Sequence, residues 1–149
     1  LDRFKAINDS FGHAAGDRVI ADLAEVLGDA VGSDDLVARL GGEEFAILLP
    51  GRTTAQAKAL AERMRLAVAR DLPVRLDNAP AVTASFGVAE LQFGERLSDL
   101  CRRSDLALYE AKAAGRDTVC AAPRLRSVKP DAEAAEFAAP SDRLVQSFG

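Results

Sequence analysis

A chain of 149 residues, 48% hydrophobic and 28% charged, predicts one soluble globular domain that buries its core without disulfide or metal staples. A net charge of −4 argues against a nucleic-acid binder that relies on a broad basic face, so any polyphosphate must be met locally by a few cations, a helix terminus or a metal. Two cysteines at no metal-ligand spacing, no apolar run near the ~18 residues of a membrane span and no signal-peptide pattern predict a cytoplasmic protein with reduced thiols.

The chain opens on Leu1-Asp2-Arg3-Phe4-Lys5 without a methionine, and it reads as a fragment of a longer protein with material missing upstream. Phe4, Ile7 and Phe11 keep helical spacing, which predicts a short helix that packs them inward and carries Lys5 and Asn8 outward. From Val19, the residues Ile20, Leu23, Val26, Leu27, Ala30 and Val31 mark one buried helical face, ended by Gly32 and Ser33. Leu36 to Leu40 and Phe45 to Leu49 are predicted strands, joined by the tight connection Gly41-Gly42-Glu43-Glu44. Thr53 and Thr54 are candidate N-caps of a helix whose stripe is Ala57, Leu60, Ala61, Met64, Ala67 and Val68.

Pro73 to Leu76 is predicted as a minor strand, with Asp77 and Asn78 turning the chain, and Val82 to Ala89 as a core strand. A last helix, from about Ser98 to Ala114, carries Leu100, Cys101, Ala107, Leu108 and Ala111 inward and stops at Gly115. Thr118 to Ala121 follows as a short edge strand. Three of the six prolines (Pro123, Pro130 and Pro140) then fall among Ala, Glu, Asp and Ser. Residues 122–149 are therefore expected to be a flexible tail or linker after a domain of residues 1–121. The order of elements predicts an α/β (α+β) sandwich, with helices around a central, mostly antiparallel sheet.

Three segments carry residues suited to nucleotide chemistry. In Gly41-Gly42-Glu43-Glu44, glycines without Cβ atoms admit a ligand closely, and two carboxylates beside them suit Mg²⁺ shared with substrate phosphates. An ordinary hairpin turn with solvated acids is the competing reading. In the opening segment, Lys5 sits unfavourably near a helix start, as a phosphate ligand would, and Asn8 and Asp17 offer an amide and a carboxylate for a guanine edge. Capping and surface charge are the competing readings there, and for His13, the single histidine, a loop hydrogen bond competes with catalysis. In the third segment, Lys112 and Arg116 stand one turn apart at a helix exit, where cations grip phosphates or merely offset the helix dipole.

Taken in order and at compatible spacing, LDRFKAINDSFGHAAGD, RLGGEEF, VTASFGVA and SDLALYEAKAAGRD resemble the GGDEF family of diguanylate cyclases, with the signature hairpin in its Glu variant. The resemblance runs from Leu1 to about Val119. It implies a fold similar to the adenylyl cyclase core and the polymerase palm, and condensation of two GTP into cyclic di-GMP and two pyrophosphates. It further implies Mg²⁺ (or Mn²⁺) as cofactor, a homodimer for catalysis, and an upstream sensory or receiver domain in the intact protein. By resemblance, Asn8 and Asp17 match the guanine-binding positions and His13 a position near the nucleoside. Lys5 matches the residue that steadies phosphate charge, while Lys112 and Arg116 match the cations on the outer phosphates. Glu43 matches the metal ligand and proposed general base, Glu44 its metal-side neighbour, and Leu1 a position whose backbone carbonyl faces the metal.

The chain also departs from the family pattern. The family motif has a further metal-ligating aspartate directly before the position of Leu1, and this chain does not contain it. Many members carry Arg-x-x-Asp five residues ahead of the first signature glycine, where dimeric product binds and inhibits. Here that window is Gly32-Ser33-Asp34-Asp35, and without the guanidinium fork no strong product inhibition is expected through it. Two other readings compete with the enzyme: a degenerate domain that senses GTP or another nucleotide for a partner, and a structural dimerisation module. The retained Lys5, Asn8, Asp17 and Gly-Gly-Glu-Glu-Phe run argues against both.

Overall fold

The stripe of Val19, Leu23, Val26 and Leu27 leaves water by facing a second stripe, Leu60, Met64, Val68 and Leu72, and Ile7, Val82 and Ala84 close the same core. Each of the larger side chains buried there contributes about 1.5–3 kcal/mol. The computed structural model, which describes residues 1–75 and 82–125, builds this core from two long helices, α2 (His13–Ala30) and α3 (Thr54–Arg75). The short α1 (Phe4–Phe11) packs on α2. Gly12 separates the two, so α2 begins six residues before the apolar stripe and starts at His13.

Strands β1 (Leu36–Gly41) and β2 (Glu44–Leu48) form the antiparallel hairpin expected from the sequence. Strands β3 (Phe86–Val88) and β4 (Val119–Ala121) pair in parallel, and α4 (Leu97–Ala113) lies across them. That contact is close enough to demand glycine at Gly87, where a Cβ would sit 2.2 Å from the Ser104 carbonyl oxygen. The two-stranded sheets are bridged by the first two residues of the chain. The Leu1 amine donates to the Glu43 carbonyl of the hairpin (3.1 Å), and the Asp2 amide donates to the Thr83 carbonyl ahead of β3 (2.9 Å).

Several expectations are corrected. The minor strand from Pro73 does not form, because α3 runs through Pro73 to Arg75. Proline there removes only its own bond near the helix end, while Leu72, fully buried, anchors that turn. Of Val82 to Ala89 only Phe86–Val88 joins a ladder. Phe11 is 44% exposed, and Cys101 is exposed where an inward position was expected. The buried residue of that part of α4 is Arg103. Thr53, with Gln56, forms the reciprocal capping pair of α3: the Thr53 amide donates to Gln56 Oε1 (2.9 Å) and the Gln56 amide to Thr53 Oγ1 (3.3 Å). Asp77, Asn78 and the tail beyond Leu125 lie outside the described residues. Among the described residues no helix is long and apolar enough to cross a membrane.

Candidate functional site

The hairpin turn is built by a slip in its own ladder. Arg39 pairs with Phe45 but Gly41 pairs with Glu44, so the register shifts at Leu40 and the turn tightens over Gly42 and Glu43. Gly42 takes a φ of +50°, a left-handed conformation that glycine adopts without a Cβ penalty. Arg39 Nε donates to the Gly42 carbonyl (3.0 Å) and stiffens the turn. Glu43 is half-buried and Glu44 exposed, so two carboxylates stand at a turn that is tied through the Glu43 carbonyl to Leu1.

Residues far apart in sequence meet around Leu1. Lys112, Glu43 and Glu44 all lie close enough to its nitrogen to act on it electrostatically. Leu1, Glu43, Glu44 and Lys112 thus share one electrostatic neighbourhood. Lys112 occupies the last turn of α4, half-buried, and Arg116 follows in an exposed left-handed position with φ of +69°.

The opening helices form the other part of the site. Asn8 does not point outward as expected, but toward α2. Its Oδ1 is buried without a hydrogen-bond donor, and a Cβ on Gly16 would lie 1.8 Å from it. Only glycine at position 16 leaves room for that amide. Asp17, exposed in the first turns of α2, borders a cavity of about 490 Å³ that Ile20, Ala24, Val37, Arg39 and Phe45 also line. Lys5 and His13 stand exposed at the starts of α1 and α2. Neither hydrogen-bonds the hairpin acids among the described residues.

Two residues of this region escaped the sequence reading. Arg39 lies two residues before the first signature glycine, and its charge amid an apolar strand was the available signal. Asp2, 5% exposed, accepts from Thr83 Oγ1 (2.8 Å), Ser85 Oγ (2.7 Å) and the Asp117 amide (3.1 Å). No local pattern announces that burial. Among the described residues no group of three or more His, Cys, Asp or Glu side chains forms a ready metal cage. Glu43, Glu44 and the Leu1 carbonyl are nevertheless hard oxygen donors of the kind Mg²⁺ accepts when substrate phosphates and water complete its shell.

A family profile described as "Diguanylate cyclase, GGDEF domain" matches residues 1–118. The chain is 46% identical over 121 residues to diguanylate cyclase DgcM of Escherichia coli (strain K12), which covers 81% of this chain and 29% of that protein. It is 42% identical over 118 residues to diguanylate cyclase DgcP of Pseudomonas aeruginosa, covering 78% of this chain and 17% of that protein. The chain thus spans less than a third of the length of these relatives. Among solved structures, the active GGEEF domain of a diguanylate cyclase from Vibrio cholerae superimposes with a TM-score of 0.77 at 37% identity, covering 83% of this chain and 79% of that one. The GGDEF domain of DgcB from Caulobacter crescentus, in complex with c-di-GMP, gives 0.75 at 39% identity, covering 80% and 72%. The cyclase-type α+β fold expected from the motifs is that of these neighbours, and the chain belongs to the GGDEF-domain family of diguanylate cyclases.

Proposed function

We propose that this domain condenses two GTP molecules into cyclic di-GMP, releasing two pyrophosphates, as one half of a two-fold symmetric homodimer. The observation that carries the reading is the gathering near Leu1 of two acids of the hairpin turn, Glu43 and Glu44, and a cation from the end of α4, Lys112. A GGEEF relative described as active and a related domain described in complex with c-di-GMP support it.

Recognition of guanine rests on Asn8 and Asp17. A buried acceptor such as Asn8 Oδ1 costs about 1–3 kcal/mol while it lacks a donor. The N1–H and N2 amino groups of guanine are donors of the required kind, and adenine lacks both in that arrangement. His13 stands near the nucleoside. Lys5 steadies charge on the reacting phosphate, while Lys112 and Arg116 hold the outer phosphates. Held by the Glu43 carboxylate, with Glu44 beside it, and by the Leu1 carbonyl, a Mg²⁺ or Mn²⁺ ion would neutralise phosphate charge and acidify the attacking hydroxyl.

Glu43 accepts the proton of the 3′-hydroxyl as that oxygen bonds to the α-phosphorus of the facing GTP. The bond from that phosphorus to the β-phosphate oxygen breaks, and pyrophosphate leaves. The reciprocal step closes the ring. One nucleotide per domain and mutual attack require the two domains to face each other across a two-fold axis, which the product shares. The domain's contribution is positioning and charge stabilisation, with no covalent intermediate.

The test is incubation of the full-length encoded protein with GTP and Mg²⁺, followed by chromatography of the nucleotides. Cyclic di-GMP and pyrophosphate are expected, and Glu43→Gln should abolish both with an unchanged circular dichroism spectrum. GTP bound without conversion overturns the enzyme reading in favour of a nucleotide sensor. No GTP binding at all leaves a dimerisation module.

A further inference from the structure

We propose that Asp2 is a positioning residue, one that sets Arg116 relative to the Leu1–Glu43 corner; the role rests on the cyclase reading above. A carboxylate removed from water is costly unless its lone pairs are met. Asp2 meets them with three neutral donors from two other segments: Thr83 and Ser85 ahead of β3, and the Asp117 amide after α4. Its own amide donates to Thr83, and the amine of its neighbour Leu1 donates to Glu43. One buried side chain therefore joins the start of the chain to the approach to β3 and the exit of α4, and the adjoining Leu1 nitrogen ties the same segment to the hairpin turn.

The exit of α4 needs such a tie. The Arg116 amide closes the helix end on the Ala111 carbonyl (3.1 Å), the six-to-one bond of a Schellman-type stop. Beyond it Arg116 and Asp117 both adopt left-handed backbones, with φ of +69° and +46°, which non-glycine residues hold only when their surroundings insist. Two contacts insist here. Asp117 Oδ1 accepts from Arg65 of α3 (2.7 Å), and the Asp117 amide, whose peptide plane begins at Arg116, donates to Asp2 (3.1 Å). Without Asp2, the peptide that aims Arg116 loses its link to the residues around Glu43.

The inference separates from simple structural support by its ligand dependence. Arg116 acts on outer phosphates, so damage transmitted through it affects a triphosphate and spares a monophosphate. Binding of the unreactive αβ-methylene analogue of GTP, and of GMP, is measured for full-length wild-type protein and for Asp2→Ala, Arg116→Ala and the double variant. We expect Asp2→Ala to weaken the triphosphate analogue about tenfold, with GMP affinity unchanged. The double variant should bind no more weakly than Arg116→Ala alone, because the first change has already misplaced the guanidinium. Asp2→Asn should recover to within about threefold, since its amide oxygen still accepts from Asp117 and its NH₂ can donate to a reversed Ser85 hydroxyl. Losses that add, or GMP affinity that falls in step, overturn the role. If Asp2→Ala does not fold, Asp2→Ser carries the same cycle. Wild-type protein that binds neither nucleotide overturns the cyclase reading itself, whereas wild-type binding with additive losses removes only the role of Asp2.

Discussion

Asp2 beside the candidate site and Glu95 in the loop between β3 and α4 are both buried acids, but they are held in different ways. Asp2 is shared among three neutral donors on two other segments. Glu95 is gripped by the Arg103 guanidinium, with Nε on Oε1 (2.7 Å) and Nη2 on Oε2 (2.8 Å). Arg103 also donates to the Glu90 and Pro123 carbonyls. The guanidinium locks the loop after β3 and the segment after β4 to one point on α4. The shared carboxylate joins the start of the chain to the approach to β3 and to the exit of α4, which carries Arg116. Charge matched by charge gives local rigidity, and charge divided among neutral donors gives registration between parts.

Arg103→Met is the strongest way to break that comparison. It leaves the Glu95 carboxylate, 2% exposed, without its cation, and it frees two carbonyls. Breaking one side of a buried pair is far costlier than replacing both, so Tm should fall by roughly 10 °C or more, and Glu95→Gln added to Arg103→Met should recover part of the loss. Asp2→Asn, by contrast, should lower Tm by only a few degrees, roughly the cost of one or two neutral hydrogen bonds. Scanning calorimetry on the four proteins ranks them, and an Arg103→Met variant as stable as the wild type would show the pair to be dispensable.

A second, smaller effect appears with pH. The Arg103 hydrogen bonds hold the Glu95 carboxyl below its ordinary value, and Arg65 does the same for Glu62. The Thr54 hydroxyl and amide lower Glu90 in the same direction. A carboxyl depressed in the folded state stabilises the fold at pH above its unfolded value, about 4.3, and that contribution drains away as pH falls through the lower folded value. The urea midpoint should therefore be flat from about pH 5 to 7 and decline below about pH 4. In Arg103→Met the acid decline should be shallower, because one depressed carboxyl has been released. An unchanged slope would assign the decline to Glu62 and Glu90 alone.

Arg103 also marks where sequence reasoning stops. The stripes of α2 and α3, the hairpin with its two glycines, and the Gly115 stop were legible because spacing and backbone chemistry act locally. The capping pair was half legible, for Thr53 caps α3 while Thr54 Oγ1 reaches Glu90. Arg103 was not singled out in the sequence, since its partner Glu95 lies in a loop with no periodicity. Pro73 was read as the start of a minor strand because the burial of Leu72, which carries the helix onward, is tertiary. For the site, the motifs named Leu1, Glu43, Glu44 and Lys112, but only folding brings them near one another. Asn8 was assigned to the outer face, whereas the absence of a side chain at Gly16 draws its amide between the helices.

Asp35 stands between the two extremes, and it carries the smallest expected effect. Its side chain is 4% exposed and is held by the Gly32 amide (2.8 Å) and by Arg52 (2.6 Å), a cation that is itself 34% exposed. In the family pattern an arginine at position 32 would offer its fork to a bound product beside a free aspartate. Here position 32 has no side chain and the aspartate is already engaged. Titrating cyclic di-GMP into the cyclase assay should give no submicromolar inhibition, and Asp35→Ala should leave the curve unchanged. The site can nevertheless be rebuilt, for a Cβ on Gly32 would meet Asp35 Oδ2 at 3.5 Å and Arg52 Nη2 at 3.7 Å, which is ordinary contact. Gly32→Arg combined with Arg52→Ala supplies the fork and frees the carboxylate, and inhibition should then appear. Submicromolar inhibition of the wild type that Asp35→Ala removes would mean that Arg52 yields its aspartate to the product. The ion pair at Asp35 would then be a gate, unlike the lock at Glu95.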